Sequence, residues 1–327
     1  GGQNYFNYAD PITASLGTQL VFTGFVDRIS VNIKAGSHTT TIMARSAMRN
    51  LTKCSIDINT IKGNSVSGNV FQIAQQVAAP MGITVVNKSS QNLNILDALP
   101  FGYGQTPWDL IEQAARYCGV LLLDNELGQL VIDDVGSSTM ASGAVLGVNV
   151  EEATTNFSIE QQFSDVFCVI GTPNQVTGGA PSPDGHAHNQ YLNEYTPHYI
   201  VCEQATDDFF FPQKRAAWEV AQRMAAGFNA QITLPYWRDS KNNLYVPNAL
   251  IDIDLNTLRW PPNRLVITNV AYSKSLAGTH CVLNVTFPEA LMPEPLAILN
   301  EAVLIMRSAQ HAGGPAGRTQ SNDGPGQ

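Results

Sequence analysis

"YWRDSKNNLYVPNALIDI", Tyr236 to Ile253, places two aromatic residues, an Arg–Asp pair and a polar turn ahead of a mostly apolar run. Such a stretch is either the lip of an active site or the corner of a scaffold. Its flanks favour the corner. "AQITLPYW", "LYVPNALIDIDL", "RLVITNVAYSKS" and "HCVLNVTFPEA" are four alternating runs separated by turns, which predicts an antiparallel sheet or barrel. "ITLPYW" then turns through "RDSKNN" and returns as "LYVPNALIDI", a hairpin. Tyr236 or Trp237 packs across from Tyr245, and Arg238 pairs with Asp239 or holds a turn carbonyl. Pro247 has no N–H to give a ladder, so its strand lies at an edge or starts at that point. Nothing in the stretch supplies a nucleophile together with a base.

Upstream, "PQKRAAWEVAQRMAAGF" reads as a helix. Pro212 stands at its start, Ala217, Val220 and Met224 form one stripe, and Gly227 closes it. "TTNFSIEQQFSDVFCVIGTP" contains one or two strands. Residues 172–198, rich in Gly, Pro, Asn and His, read as a long loop.

An internal repeat lies nearer the N-terminus. "FQIAQQVAAPMGITVV" from Phe71 and "WDLIEQAARYCGVLLL" from Trp108 superpose with Phe71 on Trp108, Ala74 on Ile111, Ala78 on Ala115 and Gly82 on Gly119. Each copy predicts an amphipathic helix, a Gly where it ends, and a buried strand. Thr106 caps the second helix, with Pro107 at its first position. "DNELGQ" then turns the second copy into "LVIDD", a hairpin. Before the repeat, "QLVFTGFVDRISVNI" and "HTTTIMARS" predict a hairpin turning at "KAGS", and residues 51–66 read as a polar connection. At the other end, "PEPLAILNEAVLIMRS" is a short amphipathic helix or strand, with Leu296, Leu299, Val303 and Met306 on one stripe. Residues 309–327 are Gly/Pro/polar and expected to be disordered unless a partner holds them.

Composition narrows the function. Of 327 residues, 14% are charged, well below the ~25% of ordinary soluble domains; a surface so poor in charge suits a chain packed against neighbours. Net charge is −9 with no Lys/Arg cluster, so phosphate-backbone binding has no electrostatic footprint. The five cysteines include no CxxC and sit mostly in apolar stretches, which predicts reduced core residues and folding in a reducing cytosol. No apolar run reaches the ~18 residues of a membrane span, and no signal peptide opens the chain. It begins Gly-Gly without Met, and further upstream sequence is expected.

The candidates for chemistry are thin. His186 and His188 with Asp184 offer a metal or acid/base set, but no third ligand is fixed. Asp207 and Asp208 with Glu203 offer a carboxylate pair for glycoside hydrolysis; they also precede a helix, where acidic residues are ordinary dipole partners. "FGYGQTPWD", Phe101 to Asp109, has GxG before a helix but lacks the further glycines or the Lys beside Ser/Thr of a phosphate loop. No catalytic, cofactor-binding or metal residue is assigned.

Several of these stretches, in order, resemble Mu-like phage baseplate hub proteins. They are "FTGFVDRISVNIKAGSHTTTIMARSAMRNLTKCSIDI", "AQQVAAPMGITV", "PWDLIEQAARYCGVLLLDNELGQLVI", "FSDVFCVIGT", "RAAWEVAQRMA", the Trp-Arg hairpin with its "PN", and "PNRLVITNVAYSKSLAGTHCVLNVTFPEA". Together they span most of residues 20–292. The resemblance implies a mainly β fold with an α/β insert: two tube-like antiparallel β-barrel domains plus small helix-strand modules. It divides the chain into a first barrel block (1–57), an insert of two helix-strand units (58–147), a second barrel domain with one helix (148–292), and a C-terminal segment and flexible tail (293–327). Few residues precede Thr23, so the first barrel is incomplete or finished by a neighbour.

What the resemblance implies for function is structural. The chain would be a virion subunit, assembled in the host cytoplasm. Three copies would join the sixfold tail tube to a trimeric membrane-piercing spike. Its partners would be the tube protein, the spike protein and other baseplate proteins. DNA would pass through the lumen without specific binding, and there would be no cofactor and no stable membrane insertion. The rival readings are a hub-associated cell-wall hydrolase using His186, His188 or the Asp207/Asp208 group, and a glycan-binding module using Trp237 and Trp260.

Overall fold

The computed structural model describes residues 7–170, 185–202, 211–255, 260–276 and 278–295. They form two compact units, one from residues up to 163 and from 218 onward, the other from 164–217.

The first unit opens with a three-stranded antiparallel sheet, β1 (Pro11–Leu16), β2 (Gln19–Lys34) and β3 (Ser37–Ser46). β2 and β3 are the hairpin expected from the alternation, and it turns at Ala35–Gly36 as "KAGS" predicts. β1 was not legible, because its exposed residues carry little apolar pattern. Gly24 is required where the strands come closest: a Cβ there would run into the Arg45 carbonyl and the Phe22 ring.

The α/β region follows: α1 (Arg49–Lys53), β4 (Ser65–Gly68), α2 (Val70–Ala78), β5 (Val85–Asn87), β6 (Leu96–Pro100), α3 (Pro107–Cys118), β7 (Leu121–Asp124) and β8 (Leu130–Asp133). The repeat is real. Val70, Ile73, Ala74, Val77 and Ala78 are the buried face of α2. Their counterparts Pro107, Leu110, Ile111, Ala114 and Ala115 are the buried face of α3. Both helices start with a capping box, Asn69–Gln72 and Thr106–Asp109. Gly82 and Gly119 end the two copies at φ 70° and 68°, a left-handed turn that glycine adopts without steric cost. β4 and β6 pair antiparallel, while β5 runs parallel and β7 antiparallel to the shared central strand β8. Residues 51–66 are not merely a polar connection. Leu51 on α1 is fully buried, and Ile56 and Val66 join the same core; so few apolar residues, unevenly spaced, show no period in sequence.

The remaining part of this unit is a seven-stranded sheet. Its strands β9 (Ser138–Thr139), β10 (Ala144–Val145) and β11 (Glu152–Phe157) precede the second unit's β12 (Asp165–Ile170), β13 (Gly185–His188) and β14 (Pro197–Cys202). α4 (Phe211–Ala226) then leads into β15 (Phe228–Leu234), β16 (Ala249–Leu255), β17 (Trp260–Ser275) and β18 (Gly278–Thr286). The spatial order is β10-β16-β17-β18-β15-β11, with β9 also on β16. The four alternating runs are these last four strands, and their buried Ile232, Leu234, Ile251, Ile253, Leu265, Ile267, Leu283 and Val285 form a second core. β16 starts just after Pro247, one of the two outcomes expected for that residue. Among the described residues this ladder is open, ending at β10 and β11.

The expected hairpin between β15 and β16 forms only at its turn, where Arg238 and Leu244 make an antiparallel bridge; the long strands on either side take other partners. β15 pairs with β11 and β18, and β16 pairs with β17 and the short strands β9 and β10. Three successive strands joined in sequence, with the first of the four lying beside the last, make a Greek key. Alternation marks strands but carries no information on which neighbour each one takes.

The second unit carries a small sheet in the order β13-β12-β14, with β13 antiparallel and β14 parallel to β12. The long loop expected over residues 172–198 is therefore interrupted: 185–188 form β13, and β14 begins at Pro197. Gly185 and two His residues look like loop composition, yet Gly is needed because a Cβ there would meet the Pro212 backbone. The C-terminal stripe and tail lie outside the described residues.

Ile73 and Leu110 occupy equivalent, fully buried positions of the two repeat copies. Each Ala substitution should cost about 2–5 kcal/mol, read as a drop in the denaturant midpoint. A loss under 1 kcal/mol at either site would show that the copy in question is not core.

Candidate functional site

The Trp237 corner is built from side chains that spend their polar atoms on backbone. Asp239 is only 7% exposed. Its carboxylate accepts from the backbone N–H of Lys241 (2.9 Å), Asn243 (2.8 Å) and Ala141 (2.9 Å). Burial alone would raise its pKa, but those donors outweigh it and hold the group below the usual carboxylate range. Arg238 does not pair with Asp239; it donates to the Asn242 carbonyl (2.9 Å), the turn contact foreseen as its alternative, and to Gln19 (2.7 Å). Trp237 lies edge-on to Tyr272 and donates its Nε1–H to the His280 carbonyl (3.0 Å). Tyr245 is fully buried and gives its N–H to the Trp237 carbonyl (3.1 Å), so the expected contact across the turn is made through backbone.

Three residues on, Asn248 ties the corner to the α/β region. Its backbone is left-handed (φ 64°), its side chain is buried, and its amide donates to the Asp134 carbonyl (2.8 Å) and accepts from Gly136 N–H (2.9 Å). Asn is among the few residues that tolerate such a backbone and also carry both donor and acceptor. The "PN" dipeptide thus precedes the start of β16 and anchors another segment.

A second cluster explains "TGFVD" and "ARS". Asp27 bridges Arg45 (2.9 Å) and Arg49 (3.0 Å), and the hydrogen bond from Arg45 holds its carboxyl below the ordinary value. Arg45 and Arg49 also line a cleft of about 440 Å³ with Phe22, Met48, Trp108 and Asp124. Beyond it the hairpin projects. β1 covers β2 only as far as Phe25, so residues from Ser30 to Lys34 pair with Ser37–Thr41 as a two-stranded ribbon. Val31 and Ile33 stand on one face of that ribbon, 55% and 76% exposed. A bare ribbon with an apolar face is marginal in water and calls for a cover. The alternation of Ile29, Val31 and Ile33 was visible in the sequence; which face lies open was not.

His186 and His188 come together on β13, but their carboxylate is Asp165 of β12, at 2.8 and 3.1 Å. The Ser164 hydroxyl first, then the two imidazoles, hold Asp165 below the usual range. His186 stacks on Phe167, which stacks in turn on Tyr199. No group of three or more His, Cys, Asp or Glu suited to a metal occurs among the described residues. Asp184, Glu203, Asp207, Asp208 and the side chain of Trp260 lie outside the described residues. "FGYGQTPWD" is a helix start: Gly102 N–H donates to Gln105, and Thr106 and Asp109 cap α3.

A mainly β chain with a duplicated α/β region resembles phage tail proteins, as comparison with known proteins shows. A family model for the second domain of baseplate hub protein gp44-like proteins matches residues 49–134. A model for the fourth domain of the Mu phage baseplate assembly protein GpP matches residues 210–294. The baseplate hub protein gp44 of Escherichia phage Mu is 26% identical over 274 residues, covering 79% of this chain and 69% of that protein. The 43 kDa tail protein of prophage MuSo2 from Shewanella oneidensis superposes with a TM-score of 0.74 at 27% identity, over 89% of this chain and 84% of the other. A tail protein from Neisseria meningitidis MC58 shares the fold at TM-score 0.71 and 18% identity, over 88% and 86%. The chain is a relative of the Mu-like baseplate hub proteins.

Asp239 yields a pH prediction. Its folded pKa is depressed, so its stabilisation is present above the unfolded value of about 3.9 and lost as pH falls through the folded one. Asp239→Asn should lose about 2–4 kcal/mol at pH 7 by orphaning backbone donors, and less between pH 5 and 3 than the parent loses. Parallel acid limbs in urea titrations of the two proteins would contradict this.

Proposed function

We propose that the chain is a structural subunit of a contractile-tail baseplate hub, acting as a homotrimer between the sixfold tail tube and a threefold spike. The observation that carries this is the pair of hub-family matches, falling in order on the α/β region and on α4 with the seven-stranded sheet. It is a virion protein of the tail tip, surrounded by other baseplate proteins, and its work is mechanical rather than catalytic.

The symmetry argument asks for two tube-like β-barrels per subunit, giving six units toward the tube and three whole subunits toward the spike. In support, the open ladder ends at β10 and β11, which are consecutive in the chain. The segment between them carries a bridge from Leu146 to Val150 and continues both edge strands, with Leu146 N–H bonded to Asp254 of β16 and Glu151 N–H to Thr233 of β15. One chain segment borders both sides of the sheet, as a barrel's closing strand does. The N-terminal three-stranded sheet is the counterpart, finished by a neighbouring subunit that covers Val31 and Ile33. A net charge of −9, with part of it on the lumen, would let DNA slide without sticking.

Val31→Asp with Ile33→Asp tests the assembly. Both side chains are exposed in the isolated chain, so the variant should melt within a few degrees of the parent. By native mass measurement it should fail to form the trimer. A variant that still trimerises at the parent's concentration would refute the role given to the ribbon.

A further inference from the structure

We propose that Cys168 and Cys202 form a dithiol that closes to a disulfide in an oxidising medium, stapling β14 to β12. The two thiols lie on adjacent parallel strands of the second unit. Cys168 faces Ile200 and Cys202 faces Ile170, so the cysteines share one face of the sheet on a diagonal. Their Sγ atoms are 2.7 Å apart, roughly 0.7 Å beyond the covalent S–S length. The other three cysteines, Cys54, Cys118 and Cys281, belong to the first unit.

Access is one-sided. Cys168 is fully buried, while Cys202 keeps 8% exposure at the end of β14. A small disulfide such as oxidised glutathione therefore meets Cys202 first. The Cys202 thiolate attacks one glutathione sulfur, and the first glutathione thiolate leaves. The Cys168 thiolate then attacks the Cys202 sulfur of the mixed disulfide and expels the second glutathione. Two electrons pass from the cysteines to the glutathione disulfide, and the two cysteine protons end on the two glutathione thiols. Diagonal neighbours stand farther apart than a disulfide prefers, so closure draws the end of β14 toward β12 and leaves a bond that a thiol reductant reopens. The chain would thus fold with both thiols reduced and be stapled once it meets oxidising surroundings.

The full-length chain is incubated with oxidised glutathione, denatured, alkylated with N-ethylmaleimide, and measured by intact mass and non-reducing peptide mapping. The expected result is loss of alkylation at both Cys168 and Cys202, one cross-linked peptide joining them, and recovery of both thiols with dithiothreitol. In Cys168→Ser the cross-link should vanish and Cys202 should instead carry glutathione, with an unchanged circular dichroism spectrum showing that the variant folds. Exposed Cys54 reports whether the oxidant reacted. Glutathione on Cys54 with both Cys168 and Cys202 alkylated, or a cross-link between other cysteines, would overturn the proposal.

Discussion

The fold depends on a few buried polar atoms at one crossing of the chain. Where the α/β region gives way to the seven-stranded sheet, the backbone of residues 134–142 runs against the start of β16 and must be satisfied. Asp239 and Asn248 do this, taking Ala141 and Gly136 N–H groups and giving to the Asp134 carbonyl. Both side chains are nearly enclosed, so water does not replace them, and an unmade bond there costs its full desolvation penalty. Two hydrophobic clusters thus belong to one compact unit, and these directional contacts join the segments that carry them.

That arrangement suits a load-bearing part. Apolar packing is tolerant of small slips, whereas charge-assisted bonds to fixed backbone donors specify one geometry. The same economy recurs at Asp27, which fixes two arginines at the base of the projecting hairpin. In both clusters the polar groups face the chain's own backbone and side chains. Val31 and Ile33, farther out on the same hairpin, are by contrast apolar and exposed.

Much of this was legible. The repeat could be read because helix burial has a fixed period and both copies keep it, down to Gly82 and Gly119. The strands of the second sheet could be read because one face of each is apolar. Strand order was not legible: β15 and β16 look like a hairpin because a turn lies between them, and their true neighbours are decided by contacts distant in sequence. The pairing of Asp165 with His186 is hidden for the same reason, since the two lie 21 residues apart in the chain. Leu51 and Ile56 were missed because isolated apolar residues in a polar stretch carry no period. At the Trp237 corner two partners for Arg238 were open in the sequence, and the turn carbonyl of Asn242 is the one it takes, leaving Asp239 to serve the backbone.

Cryo-electron microscopy of the intact tail tip tests the central claim most directly. The account predicts three copies of this chain around the axis, presenting six barrel-like lobes to the tail tube. Six copies, or a single copy bound to the outside of the baseplate, would contradict it. An intact trimer with three lobes would contradict the assignment of a barrel to the N-terminal sheet.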